Sequence, residues 1–184
     1  MVNQLKGMGR GLMDMNMNNQ ILENWGGHSV RLTWCPMKII TDSQTITSVH
    51  GYCFYQEKIL LVQVIGRGFN VPGGHVEINE TADEAFHREA FEEGYVKGRI
   101  KYIGAIEVSH EDNPLFVPDE KYPLIGFQAF YRMDIENCLP FLRENETLSR
   151  IWVEPEEVPY VINDHELSTL VLTDALKMGK DLSN

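Results

Sequence analysis

Cysteine is scarce in this chain. Cys35, Cys53 and Cys138 are odd in number and lack the paired spacing of metal ligands. That argues against a disulfide framework and a thiolate zinc site, and leaves buried free thiols in a reducing cytoplasm as the expectation. Basic residues are also in short supply, 16 Lys and Arg against 27 Asp and Glu. The resulting formal net charge of −11 has the wrong sign for nonspecific binding to nucleic-acid polymers or anionic membranes. A small phosphate ligand is not excluded, because a metal ion can supply positive charge locally. No apolar run is long enough to span a bilayer, and the methionine-rich start lacks the apolar core of a signal peptide. There is no internal repeat, and His75, His87 and His110 do not form a zinc constellation.

What remains is ordinary for a globular protein, 43% hydrophobic and 23% charged. A chain of 184 residues is most simply one domain with an appendage. Residues 1–27 have the low complexity of an arm, and residues 28–184 make the domain. The methionines of the arm leave a homodimer open as a way of covering them. Val30, Leu32 and Trp34 alternate with Ser29, Arg31 and Thr33, the pattern of a half-buried strand. Residues 47–55 and 58–65 read as two strands joined through Gln56 and Glu57. Further strands are expected at 99–108, 124–133 and 151–153, the first two separated by a long polar loop of the sort that borders active sites. Leu167, Leu170, Val171, Ala175 and Met178 mark a final amphipathic helix. Strands, helix, strands, helix is the order of an α/β/α sandwich around a mixed sheet.

The chemistry concentrates before residue 97. Thr81 to Glu84 is a capping box that starts a helix, and along it Glu89, Glu92 and Glu93 stand at i, i+3 and i+4. At about 100° per residue their carboxylates converge within about one third of the circumference. Ala82, Ala85 and Phe86 project to that same side, so the acids continue the apolar stripe where a solvated acidic face would lie opposite it. Converging carboxylates stay ionised near neutrality when a cation neutralises them, and all-oxygen ligands suit a hard ion such as Mg²⁺ or Mn²⁺.

The segment from Gly74 to Val96 resembles the Nudix box, G-x(5)-E-x(7)-R-E-U-x-E-E-x-G-U with U aliphatic, through Gly74, Glu80, Arg88, Glu89, Ala90, Glu92 and Glu93. Its end differs. The chain reads Gly94-Tyr95-Val96, so a glycine stands one place early, which reads as a one-residue shortening that stops the helix just after Glu93. The resemblance covers roughly residues 45–180 and implies the same sandwich fold. It implies that Glu89, Glu92 and Glu93 coordinate Mg²⁺ or Mn²⁺, that the Gly74 carbonyl adds a ligand, and that Arg88 and Glu80 brace the loop against the helix. It also implies a further acid outside the box as extra ligand or general base. Glu111, Asp112, Glu144 and Glu146 are the candidates, and spacing favours Glu146, six residues before Trp152.

The implied activity is metal-dependent hydrolysis of a diphosphate in a nucleoside diphosphate derivative. A nucleoside triphosphate, including oxidised dGTP, is the first expectation for the substrate, and ADP-ribose or a dinucleotide the second. The alternative from another class is a Nudix-fold module that binds a nucleotide without cleaving it. Arg67 is a candidate phosphate contact and Phe69 a candidate platform for a base, against the plainer readings of an exposed arginine and a core side chain. Asn163, before the last helix, is either a base reader or a helix cap.

Overall fold

The computed structural model describes residues 18–41, 44–117, 122–162 and 164–180. In chain order the elements are β1 (Gln20–Trp25), β2 (His28–Pro36), β3 (Thr45–Tyr55), β4 (Lys58–Val64), β5 (Phe69–Asn70), β6 (Gly73–His75), α1 (Ala82–Gly94), β7 (Val96–Ser109), β8 (Ile125–Cys138), β9 (Thr147–Val153), α2 (Val158–Val161) and α3 (Leu167–Lys180). The strands form one mixed sheet in the order β1-β2-β7-β8-β3-β4-β5, with β6 pairing on β3 and β9 on β4. Only the β3–β8 pair is parallel among these.

Each face of the sheet buries one helix, which is the expected sandwich. On one side Val30, Leu32, Trp34 and Tyr52 meet Leu167, Val171 and Ala175 of α3, all essentially inaccessible. On the other, Val49, Leu60, Val62 and Met133 meet Ala85, Phe86 and Ala90 of α1. Period-2 alternation therefore places consecutive residues of β3 and β4 in two different cores, and β4 reads as a nearly continuous apolar run. Directional contacts fix the helices. Tyr52 donates its hydroxyl to the Ser168 carbonyl (3.0 Å) and the Trp34 indole N–H donates to Asp174 (3.0 Å), both tying α3 to the sheet.

Of the stretch read as an arm, residues 1–17 lie outside the described residues, while the sheet already begins at residue 20. β1 pairs antiparallel with β2 from Gln20↔Thr33 to Trp25↔His28 around the Gly26-Gly27 turn, where the Gly27 N–H donates to the Asn24 side chain (2.8 Å). Its burial pattern is only weakly alternating, because β1 is an edge strand with little core to meet. No helix among the described residues is long and apolar enough to cross a membrane.

The expected early stop of α1 is corrected by the structure. The helix continues through Gly94, and Tyr95 itself takes the left-handed C-terminal position at φ 54°, ψ 40°. No residue is missing from the box. Tyrosine stands where the pattern has glycine, at a backbone cost of about 1–2 kcal/mol. Packing offsets it: Tyr95 is buried, its ring lies edge-on to Phe141 (5.2 Å between centroids), and its hydroxyl accepts the Glu144 N–H (2.8 Å). Gly94 serves a different purpose, since a Cβ there would sit 2.6 Å from Leu60 Cδ2 of β4. Gly94→Ala is expected to cost about 1–3 kcal/mol of unfolding free energy, the usual penalty for overpacking, read from urea denaturation. An unchanged midpoint would show that α1 can lift off β4 without cost.

Candidate active site

The helix is set in rotation before its acids are reached. At its start Thr81 Oγ1 accepts the Glu84 N–H, and the Glu84 carboxylate accepts the Thr81 N–H (2.9 Å), the reciprocal pair that the sequence announces. Asp83 accepts the hydroxyl of Tyr131 (2.8 Å), and Phe86 stacks on the Tyr131 ring at 5.0 Å and 10°. With Ala85, Phe86 and Ala90 buried, the next turn carries Glu89 and Glu93 to the β6 ribbon.

Arg88 gathers the charges. It holds Glu80 through two parallel bonds (Nε to Oε1 2.9 Å, Nη2 to Oε2 3.0 Å), and donates to the His75 carbonyl (3.0 Å), to Glu89 (2.7 Å) and to Glu92 (3.3 Å). The fork geometry suits a planar guanidinium and ties the β6–α1 connection to the helix. The Arg88 bond holds the Glu80 carboxyl below its ordinary value, whereas burial pushes Glu89 up despite the same arginine.

Glu93 lies deepest, 9% exposed, and accepts the Gly73 N–H at 2.9 Å. Burial pushes its carboxyl up to about 7, with the Glu89 and Glu146 carboxylates adding to the rise and the Gly73 bond and Arg67 opposing it. Gly74 is required by close approach, since a Cβ there would overlap the Glu89 carboxylate. The resulting cavity, about 600 Å³, is lined by six carboxylates and one cation, Arg88. Among the described residues no three acids are already arranged as a metal cage, and Glu89 and Glu92 are drawn onto Arg88 instead. The donor set nonetheless fits a hard divalent ion: only oxygens, excess negative charge, and a buried carboxyl raised to about 7 that a cation would bring back down.

Residues after Phe141 close this cavity because they cap the C-terminus of α1. The helix has no basic residue in its last turn. Its final carbonyls are met from across the chain: Asn145 Nδ2 donates to the Glu92 carbonyl (2.9 Å), Thr147 to Glu93 (3.0 Å) and Arg150 to Gly94 (2.7 Å). The loop with Glu144 and Glu146 is thereby pinned beside the box acids.

A second cavity, about 700 Å³, borders the β6 ribbon. Gly73 and Gly74 line it, as do Arg67, His50 and Gln128, and no carboxylate does. Burial holds His50 neutral, its pKa lowered to about 4. Arg67, on the wall of this second cavity, acts by its charge on both Glu93 and His50.

The structure thus brings Glu80, Arg88, Glu89, Glu92, Glu93, Gly74 and Glu146 together, with Arg67 on the adjoining wall. Phe69 does not join them. It packs against the α3-side core and bridges to Ile162, and it lines neither cavity. Glu111 and Asp112 instead pair with Arg31 (3.5 and 2.9 Å). Asn163 lies outside the described residues. Trp25, His28 and Gln128 line the second cavity and carry no motif; a Gly-Gly turn between short alternating runs was the one available signal for the first two.

Residues 45–171 match the family model described as NUDIX domain. No curated protein matches the chain by sequence. Among solved structures, a pyrophosphohydrolase of Bacillus subtilis is 25% identical, with 89% of this chain and 97% of that one covered at a TM-score of 0.61. A NUDIX hydrolase from Nitrosomonas europaea (19% identity, 77% and 97% covered, TM-score 0.55) has the same fold. So does the NUDIX domain of NrtR from Shewanella oneidensis, solved with ADP ribose (15%, 73% and 88%, TM-score 0.52).

Proposed function

The chain belongs to the Nudix hydrolase family, and from that premise we propose that it hydrolyses a diphosphate linkage in a nucleoside triphosphate, with Mg²⁺ or Mn²⁺ held by Glu89, Glu92 and Glu93 and by the Gly74 carbonyl. One observation carries the reading: Gly73 and Gly74 line the carboxylate-free cavity and touch Glu93 and Glu89 of the acid cavity. A ligand crossing that ribbon puts a polyanionic segment where cations gather and an uncharged segment where no carboxylate repels it. When bound, a divalent ion would neutralise the diphosphate oxygens and lower the pKa of an attacking water. The chain's own groups do the rest. Arg88 holds the β6–α1 connection against the helix, Arg67 faces a phosphate at the cavity boundary, and Glu146 takes the proton of the water.

The 25% identity to a pyrophosphohydrolase supports this chemistry. The test is release of phosphate or pyrophosphate with Mg²⁺ from nucleoside triphosphates, oxidised dGTP, ADP-ribose and a dinucleotide. Turnover of the triphosphates, abolished by EDTA and restored by excess Mg²⁺ or Mn²⁺, is expected. Preference for ADP-ribose or the dinucleotide would move the substrate to that class. Tight nucleotide binding without any turnover would make the protein a non-catalytic nucleotide-binding module.

A further inference from the structure

We propose that the carboxylate-free cavity is a nucleobase site, in which Trp25 of the β1–β2 hairpin stacks on the base and Gln128 reads its edge; this rests on the reading of the substrate as a nucleotide. The cavity is chemically unlike its neighbour. In a chain of net charge −11 its lining contains no Asp or Glu, while the adjoining cavity has six carboxylates. Leu115, Phe116 and Val117 give it an apolar side, which suits a flat aromatic ring better than a sugar.

Trp25 is the feature that a folding argument leaves unexplained. It is 42% exposed at the end of an edge strand, and its indole has neither a ring neighbour nor a hydrogen-bond partner among the described residues. Its position is nevertheless fixed, by the Trp25↔His28 register and by the bond from Asn113 to His28 Nδ1 (2.8 Å) that joins the hairpin to the 110–117 loop. A held, uncovered indole at a cavity wall is a stacking surface.

The floor supplies the polar readout. Gln128 of β8 lies in register with Ser48 of β3, and its carboxamide has no partner among the described residues. A carboxamide offers a donor and an acceptor side by side, the pair that a base edge requires. His110, nine-tenths buried and stacked on Phe116 at 4.0 Å, adds a ring nitrogen, Nδ1, with no partner in the described structure. Such a group is costly unless something fills its valence. Direction follows from the ribbon: Gly73 and Gly74 line this cavity and also touch Glu93 and Glu89, so a base seated here sends its phosphates toward the acids. Trp25 and His28 fall outside residues 45–171, so the family match does not by itself supply this wall.

The experiment is equilibrium binding of AMP, GMP, CMP and UMP without added metal, followed by tryptophan fluorescence and calorimetry. Trp34 is buried and bonded to Asp174, and Trp152 lines neither cavity, so quenching reports on Trp25. Saturable quenching is expected, with Trp25→Ala weakening binding by about 10-fold or more and Trp25→Phe retaining it in calorimetry. Ribose 5-phosphate, which has sugar and phosphate but no base, should bind about 10-fold more weakly than the preferred nucleotide. Gln128→Leu should narrow the spread of affinities among the four bases. Parental affinity in Trp25→Ala, or ribose 5-phosphate bound as tightly as the nucleotides, overturns the site. Base-dependent binding without hydrolysis of any diphosphate would leave the base site standing and remove the hydrolase reading. Hydrolysis of nucleoside and non-nucleoside diphosphates with equal kcat/KM would do the reverse.

Discussion

Glu93→Gln is expected to lower kcat by at least about 10²-fold, comparable to losing a strong electrostatic contact in the transition state, and at the same time to stabilise the metal-free protein at alkaline pH. The two effects share one origin. Burial, with the Glu89 and Glu146 carboxylates adding to it, pushes the Glu93 carboxyl from 4.5 to about 7. A raised carboxyl pKa means that the folded chain binds the proton more tightly than the unfolded one. This group's stability is therefore fully present below about pH 4.5 and is lost as pH rises toward 7, up to about 3 kcal/mol in all. A divalent ion reverses that loss by replacing the proton. Metal affinity should consequently climb with pH through about 7, with proton release that disappears in the variant. Glu92→Gln should show a similar loss of rate. Metal titration of kcat, with thermal melts at pH 5 and 8, checks both halves. A parental rate in Glu93→Gln would place the ion elsewhere.

These expectations rest on residues whose arrangement the sequence showed unevenly. The i, i+3, i+4 acids and the capping box are local, set by the helical repeat alone, and the structure has them in that phase. The sandwich was legible because Val30, Leu32 and Trp34 alternate and the α3 stripe is regular. The end of α1 was misread because a glycine invites the left-handed position. Its actual cause is contact with Leu60 more than thirty residues away, and the strain passes to Tyr95, which long-range packing against Phe141 sustains. Phe69 was ambiguous for a similar reason, since only the tertiary bridge to Ile162 assigns it to the core. β6 has three residues, two of them glycine, and no periodicity to detect, yet it lines the second cavity and touches Glu93 and Glu89. Trp25, Gln128 and His110 meet only when the edge hairpin, β8 and a loop are assembled.

Glu146→Gln is expected to depress kcat by about 10²- to 10⁴-fold, the usual loss for a general base, with little change in KM. Glu144→Gln is expected to do neither. Both residues line the acid cavity, but the loop presents them differently. The Glu144 N–H donates to the Tyr95 hydroxyl at the helix end, and its carboxylate does not figure among the charges acting on Glu93. Glu146 does act on Glu93, and raises its pKa. Its backbone is clamped on either side, by the Ile65 N–H donating to the Glu146 carbonyl (3.1 Å) and by Thr147 bonded to Glu93 (3.0 Å). A base must reach the attacking water repeatedly in one geometry, and such clamping provides it. Turnover of both variants at saturating Mg²⁺ across the pH range, with KM measured separately, tells the roles apart. Parental turnover in Glu146→Gln would remove it as the base. Because Glu111 and Asp112 are held on Arg31, the role would then pass to another carboxylate lining the acid cavity.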